Sequence, residues 1–294
     1  MTPSPIALPF GLRTLRRVDF PHKLGIMDRL FGAALARHGA AWVETAAGPL
    51  WKLDLRSGSQ RWIVYGDYEG PTFIPWARRW LRDGDVVIDS GANIGQTLLY
   101  FATAADVRVL AFEPNPHARI WLQECLGVQK WNVEVVPCGL GAAPASLELK
   151  LPHFEGEADA QATLHADWYL DCAADNVTVA ITTMDDVLRE RNIERVRLWK
   201  IDVEGWEYEA LRGAKQSLHR RAFDAIFVEL LEQNAAACTV MLEDAGYELY
   251  RIRNGGRLVR GAGQIEGVAN VLALPVTASR DSGRPAASAP GSAP

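Results

Sequence analysis

Two acids set 113 − 89 = 24 positions apart, Asp89 and Glu113, carry the first chemical signal in this chain of 294 residues. Val86, Val87 and Ile88 lead into Asp89, and Val107 to Phe112 lead into Glu113, so each acid closes an apolar run that suits a strand buried on both faces. After Asp89 the chain reads Ser-Gly-Ala-Asn-Ile-Gly-Gln-Thr, where Gly91 and Gly95 permit a tight turn and close approach of a ligand to the backbone. A dinucleotide fingerprint, G-x-G-x-x-G, would present a glycine turn and a helix N-terminus to a pyrophosphate. Here position 93 is Asn, and Asp89 repels a pyrophosphate while attracting an ammonium group. An acid at the end of the second strand can accept both hydroxyls of a ribose. Asp89 and Glu113 together therefore specify an adenosine with a cationic tail, as in S-adenosylmethionine. Asp89, Gly91, Asn93 and Gly95 are expected at the methionine end, Glu113 at the ribose and Asn115 near the adenine. The competing reading is a buried strand followed by incidental acids.

A second group of acids lies at the ends of later strands. Asp202 follows the apolar run ending at Ile201, Glu204 stands two residues on beside Gly205, and Glu229 follows Val228. Ligands of open α/β sheets bind outside the carboxyl ends of the strands, so Asp202 and Glu204 are candidates for the base that a hydroxyl acceptor needs. Asp202 and Glu229 also offer hard oxygens suited to Mg²⁺, the less favoured route. Either acid can instead cap a following helix. His165, like His153, lies in a long polar stretch and is a further candidate base, while Trp168 and Tyr169 can stack on a ring or anchor the loop. Lys200 shares a strand face with Asp202, where a salt bridge is the plain alternative.

Alternating apolar and helical periods position these groups. Strands are expected at 86–90, 107–112, 133–137, 196–201 and 224–229, with helices at 94–105, 116–127, 184–190, 206–217 and 232–244. Such β-α-β alternation implies a parallel sheet with right-handed crossovers. Further strands are expected at 146–151, 177–182, 247–252 and 268–274. Between 152 and 176 the connection is long enough for either a lid or disorder. Upstream, residues 1 to about 25 read as a loose lead-in, 26–38 as a helix, 41–65 as two or three strands and 76–81 as a short helix. The expected division is an N-terminal extension at 1–60, a catalytic domain at 61–275 and a disordered tail at 276–294 rich in Ala, Ser, Pro and Gly.

The net charge of −5 gives no general attraction to nucleic acid or to an anionic membrane. No apolar run is long enough to span a bilayer and the first twenty residues do not read as a secretory signal, so a cytoplasmic location is the default. Cys125, Cys138, Cys172 and Cys238 are too scattered for a zinc site or a disulfide framework.

With its motifs in order, the chain resembles the FkbM family of S-adenosylmethionine-dependent methyltransferases over roughly residues 65 to 275. The resemblance rests on Tyr68-Glu69, Asp85 to Gly95, Phe112-Glu113-Pro114-Asn115, Thr183-Met184-Asp185, Leu198 to Ala214, Val228-Glu229 and Ala269-Asn270. Lys200-Ile-Asp-Val-Glu-Gly205 is its most specific part. Ser90 and Gly139 depart from the usual small residues without disturbing the pattern. The resemblance implies a class I methyltransferase fold, a Rossmann-like, doubly wound and mostly parallel sheet of seven strands with the last antiparallel. It also implies a cofactor-side role for Glu69, and methyl transfer to a hydroxyl of a sugar, glycan or secondary metabolite. Two other functions stay open: an NAD-dependent oxidoreductase, disfavoured by Asn93 and Asp89, and a non-catalytic cofactor-binding module.

Overall fold

The computed structural model describes residues 3–66, 72–153, 162–165, 173–261, 263 and 267–276. Its N-terminal part opens with helices α1 (Phe10–Leu15), α2 (Lys23–Met27) and α3 (Ala33–Ala36), the last two joined by a π-helical turn at Asp28–Gly32. A hairpin of β1 (Ala40–Glu44) and β2 (Leu50–Asp54) follows, then α4 (Gly58–Tyr65) and α5 (Phe73–Trp80). The methyltransferase-like alternation comprises β3 (Val86–Ser90), α6 (Leu98–Ala104), β4 (Arg108–Phe112), α7 (Pro116–Leu126) and β5 (Asn132–Val136). Three strands of a small second sheet come next: β6 (Cys138–Leu140), β7 (Ala145–Pro152) and β8 (Ala174–Thr182). The chain continues with α8 (Met184–Glu190), β9 (Leu198–Ile201), α9 (Glu207–Arg212), α10 (Lys215–His219), β10 (Ile226–Leu231) and α11 (Glu232–Asp244), and ends with β11 (Tyr247–Arg253), β12 (Arg257–Arg260) and β13 (Val268–Pro275).

The main sheet has the order β12-β11-β13-β10-β9-β3-β4-β5. Strands β5, β4, β3, β9 and β10 are mutually parallel, and β13 runs antiparallel between β10 and β11. The chain winds one way from β3 through β4 to β5 and the other way from β9 to β10. Their boundary is the topological switch point at which such sheets bind ligands. Side chains of successive strand residues point to opposite faces, and the core divides accordingly. Val87, Val109, Leu198 and Phe227 join the layer containing α4 to α7, while Ile88, Leu110, Trp199 and Val228 join the layer containing α8 to α11.

Four expectations are corrected. The sheet has eight strands, because Gly255 and Gly256, both at φ +73°, let the chain fold back after β11 and add β12 at the edge. Residues 41–65 hold two strands and a helix: Ser57 caps α4 through a 3.4 Å bond from the Gln60 amide, and Ile63, Val64 and Tyr65 are buried side by side. The lead-in is packed, with Leu12 fully buried in the same core as β3 and α6. The helix expected at 206–217 breaks at Gly213, whose added Cβ would lie 2.0 Å from the Gly141 carbonyl oxygen. Among the described residues no helix is long and apolar enough to cross a membrane.

Candidate active site

At the carboxyl ends of β3, β4 and β9 lies a cavity of about 320 Å³, within the usual range for small-molecule sites. Gly91, Asn93, Glu113, Asn115, Asp202 and Glu204, all singled out from sequence, line it. So do Ser59, Trp62, Gln96 and Trp206, which sequence reasoning did not nominate. Among the described residues its lining contains no lysine, arginine or histidine.

Glu113 is held by backbone. Glu113 Oε2 accepts the Asn93 amide at 2.6 Å and Oε1 accepts the Asn115 amide at 2.8 Å. Asn93 reaches that position at φ +48°, a left-handed conformation that Asn tolerates. Asn115 also caps α7, accepting the His117 amide at 3.0 Å, with Pro116 at the first helical position. Burial pushes the Glu113 carboxyl up to about 7 against the pull of the two amides. A carboxylate has about four acceptor sites, so each oxygen retains capacity for a hydroxyl.

Asp89 lies beneath the lining rather than within it. Its side chain is fully buried, and Lys200 on the neighbouring strand stands 3.4 Å from Oδ1. Lys200 Nζ is also 3.0 Å from Asp202 Oδ2 and donates to the Gly91 carbonyl at 3.2 Å. The register of β3 with β9 pairs Asp89 with Lys200 directly. Lys200 thus occupies one flank of the acid that the sequence reading aims at an ammonium group. Burial pushes Asp89 up to about 6, opposed by Lys200, and neither carboxylate oxygen has a hydrogen-bond partner.

The glycines serve the chain more than the ligand. At Gly91, φ +74°, an added Cβ would meet the Asp202 carbonyl oxygen at 1.8 Å. At Gly95, φ +89°, it would meet the Trp51 ring at 2.6 Å and Leu122 at 2.7 Å. Trp51, from β2, also donates to the Ile94 carbonyl at 2.9 Å. The N-terminal hairpin therefore buttresses the turn from behind. Ser90 has its own reason, since its Oγ lies 2.8 Å from the buried Trp199 indole N–H that it accepts.

The turn after β9 projects Asp202 and Glu204 into the cavity. Glu204 sits at φ +52°, and the turn is fixed by Glu207, which is fully buried at the start of α9. Glu207 Oε1 accepts the amides of Val203 at 3.1 Å and Gly205 at 3.0 Å, and Oε2 accepts Asn234 Nδ2 at 2.6 Å. The sequence signal for Glu207 was an acid in the first turn of a helix just after a glycine. Burial, then repulsion from Asp202 and Glu207, pushes Glu204 up to about 8.

The remaining candidates lie apart from the lining. His165 places its Nε2 2.8 Å from the Gly205 carbonyl and packs edge-on against Trp206. Glu229 sits on β10 opposite Asn270, level with Asp202 one strand away. His153 is exposed and 2.9 Å from Asp175. Glu69, Trp168 and Tyr169 fall outside the described residues. Among the described residues no three His, Cys, Asp or Glu side chains gather as a metal-binding group.

The family model described as the methyltransferase FkbM domain matches residues 89–249, from Asp89 into β11. The chain belongs to this family. "Methyltransferase 1" of Beauveria bassiana (strain ARSEF 2860) is 30% identical over 185 residues, covering 56% of this chain and 73% of that protein. "Methyltransferase sdnD" of Sordaria araneosa is 28% identical over 201 residues, covering 59% and 77%. A solved rRNA methylase from Streptococcus thermophilus is 15% identical, with a TM-score of 0.38, over 69% of this chain and 93% of that one. This FkbM protein is an S-adenosylmethionine-dependent methyltransferase built on the doubly wound sheet described above. The residues present fit that cofactor at one end: the Glu113 carboxylate, lining the cavity, keeps acceptor capacity for the hydroxyls of a nucleoside, whereas Asp89 lies beneath the lining with its charge met by Lys200.

Proposed function

We propose that this FkbM protein methylates a hydroxyl group of a small, uncharged metabolite or sugar, with Glu204 as the base. The bound cofactor supplies an electrophilic methyl group. Gly91, Asn93, Glu113 and Asn115 hold it, and the Asp89–Lys200–Asp202 cluster fixes the floor beneath. The observation that carries the reading is Glu204: a carboxyl lining the cavity, held in a pinned turn and pushed up to about 8. A hydroxyl has a pKa far above neutrality, so a base matched upward narrows the gap for proton transfer. A neutral amine needs no such base before methylation. Asp202 faces Lys200 at 3.0 Å, which keeps its charge compensated and suits it to orienting the acceptor. Among the described residues the lining carries no basic side chain, which favours small molecules or glycans over nucleic acid, whose phosphates are held chiefly by Arg and Lys.

The test is methyl transfer from labelled cofactor to matched pairs of compounds differing only in hydroxyl against amine. Label on oxygen, rising with pH, supports the proposal. Label transferred preferentially to nitrogen contradicts it.

A further inference from the structure

We infer that Trp62, on the N-terminal helix α4, forms a wall of the cofactor pocket and packs against the bound nucleoside. The helix precedes residues 89–249, so this wall lies outside the span matched by the FkbM domain. Trp62 and Ser59 are three positions apart and share one helix face. Both line the cavity together with Asn93, Gln96, Asn115 and Ala118, the residues grouped around the Glu113 carboxylate.

Helix α4 is docked firmly enough to aim that face. Gln60 Oε1 accepts the Asp54 amide at 2.7 Å. Arg61 Nε donates to Asp28 at 2.7 Å, and the Tyr65 hydroxyl donates to the same carboxylate at 2.9 Å. Against this rigid backing the Trp62 indole is 39% exposed, whereas Trp51 in the neighbouring hairpin is fully buried. A large aromatic left uncovered beside a nucleoside-sized cavity has a π-face to offer. Stacking of a base on an aromatic side chain strengthens binding about tenfold or more. The inference rests on the reading of this cavity as the cofactor pocket.

The experiment is calorimetric titration of the full-length protein with S-adenosylhomocysteine, comparing wild type, Trp62→Ala and Trp62→Phe. We expect Trp62→Ala to bind about tenfold more weakly and Trp62→Phe to retain most of the affinity. Melting of the ligand-free protein should be nearly unchanged in both, because the removed ring is partly exposed. A second readout is tryptophan fluorescence: the change on ligand addition should shrink in Trp62→Phe. Wild-type affinity in Trp62→Ala, or an undiminished fluorescence change in Trp62→Phe, overturns the inference and leaves the cofactor pocket in place. Failure of the wild type to bind overturns the pocket reading itself and this inference with it.

Discussion

Two turns leave neighbouring strands at the same edge of the sheet and treat their acids in opposite ways. After β3, Asp89 is set against Lys200, and the companion acid Glu113, after β4, is gripped by two backbone amides. After β9, Asp202 shares Lys200, but Glu204 lines the cavity at a positive φ with two further carboxylates close enough to raise its pKa. In the first turn the acids are held by a lysine and by two backbone amides. The second keeps one carboxyl poised to exchange a proton, and buries Glu207 behind it to keep the turn in shape.

The largest effect is expected at Lys200, a cation that serves both turns. Lys200→Met leaves Asp89 buried without its counter-charge and should destabilise the protein by about 3–5 kcal/mol, read as a lower denaturant midpoint. Adding Asp89→Asn should recover part of that loss. Unchanged stability in the single variant would show that Lys200 does not compensate the floor. The next largest effect is expected at Glu204: Glu204→Gln should lower kcat by about 10²-fold, roughly 2.7 kcal/mol, while affinity for the neutral thioether S-adenosylhomocysteine stays within twofold. Its pH–rate profile should lose the rising limb that the wild type shows at or below about 8. A profile identical to wild type would remove Glu204 as base.

Glu207→Ala sharpens the contrast, because it frees the second turn without touching the first. Two amides lose their acceptor, so a stability loss of about 1–3 kcal/mol is expected, with kcat falling more than cofactor affinity. Equal losses in both would mean the turns are not independent. The smallest effect is a slope with pH. Burial holds Asp89, Glu113 and Glu204 above their unfolded values, at about 6, 7 and 8. Protonation therefore favours the folded state. The stabilisation is complete below the ordinary carboxylate range near pH 4 and is lost as pH rises through those three values. Melting temperatures of the ligand-free protein should fall between about pH 4.5 and 8.5, and Glu204→Gln should flatten the upper part of the slope. A rise across this window would contradict the assigned shifts.

Much of this was legible in the residues. Periodicity located the central strands within a residue or two, and the 232–244 helix at its observed bounds, because buried parallel strands and amphipathic helices write continuous apolar patterns. Glu113 and the β9 turn could be placed at the ligand end because strand ends are fixed by those patterns. What stayed hidden depended on tertiary contacts. Lys200 beside Asp89 is a cross-strand register, invisible until β3 is paired with β9. Helix α4 was misread as strand because Trp62, Ile63, Val64 and Tyr65 are β-favouring side chains, and its docking on Asp28 comes from 33 residues away. The glycine spacing has a packing reason that no sequence pattern shows. Gly91 accommodates the Asp202 carbonyl and Gly95 accommodates Trp51.

Whether the ionisable Glu204 that lines the cavity lies beside the sulfonium of the bound cofactor can be tested without knowing the acceptor. S-adenosylmethionine carries a positive sulfonium where S-adenosylhomocysteine has a neutral thioether, so the ratio of their affinities reports the charge of nearby groups. Measured by calorimetry from pH 6 to 8.5, the preference for the sulfonium should grow as Glu204 ionises, and the growth should disappear in Glu204→Gln. A ratio that stays flat in the wild type, or that rises equally in Glu204→Gln, would contradict the account.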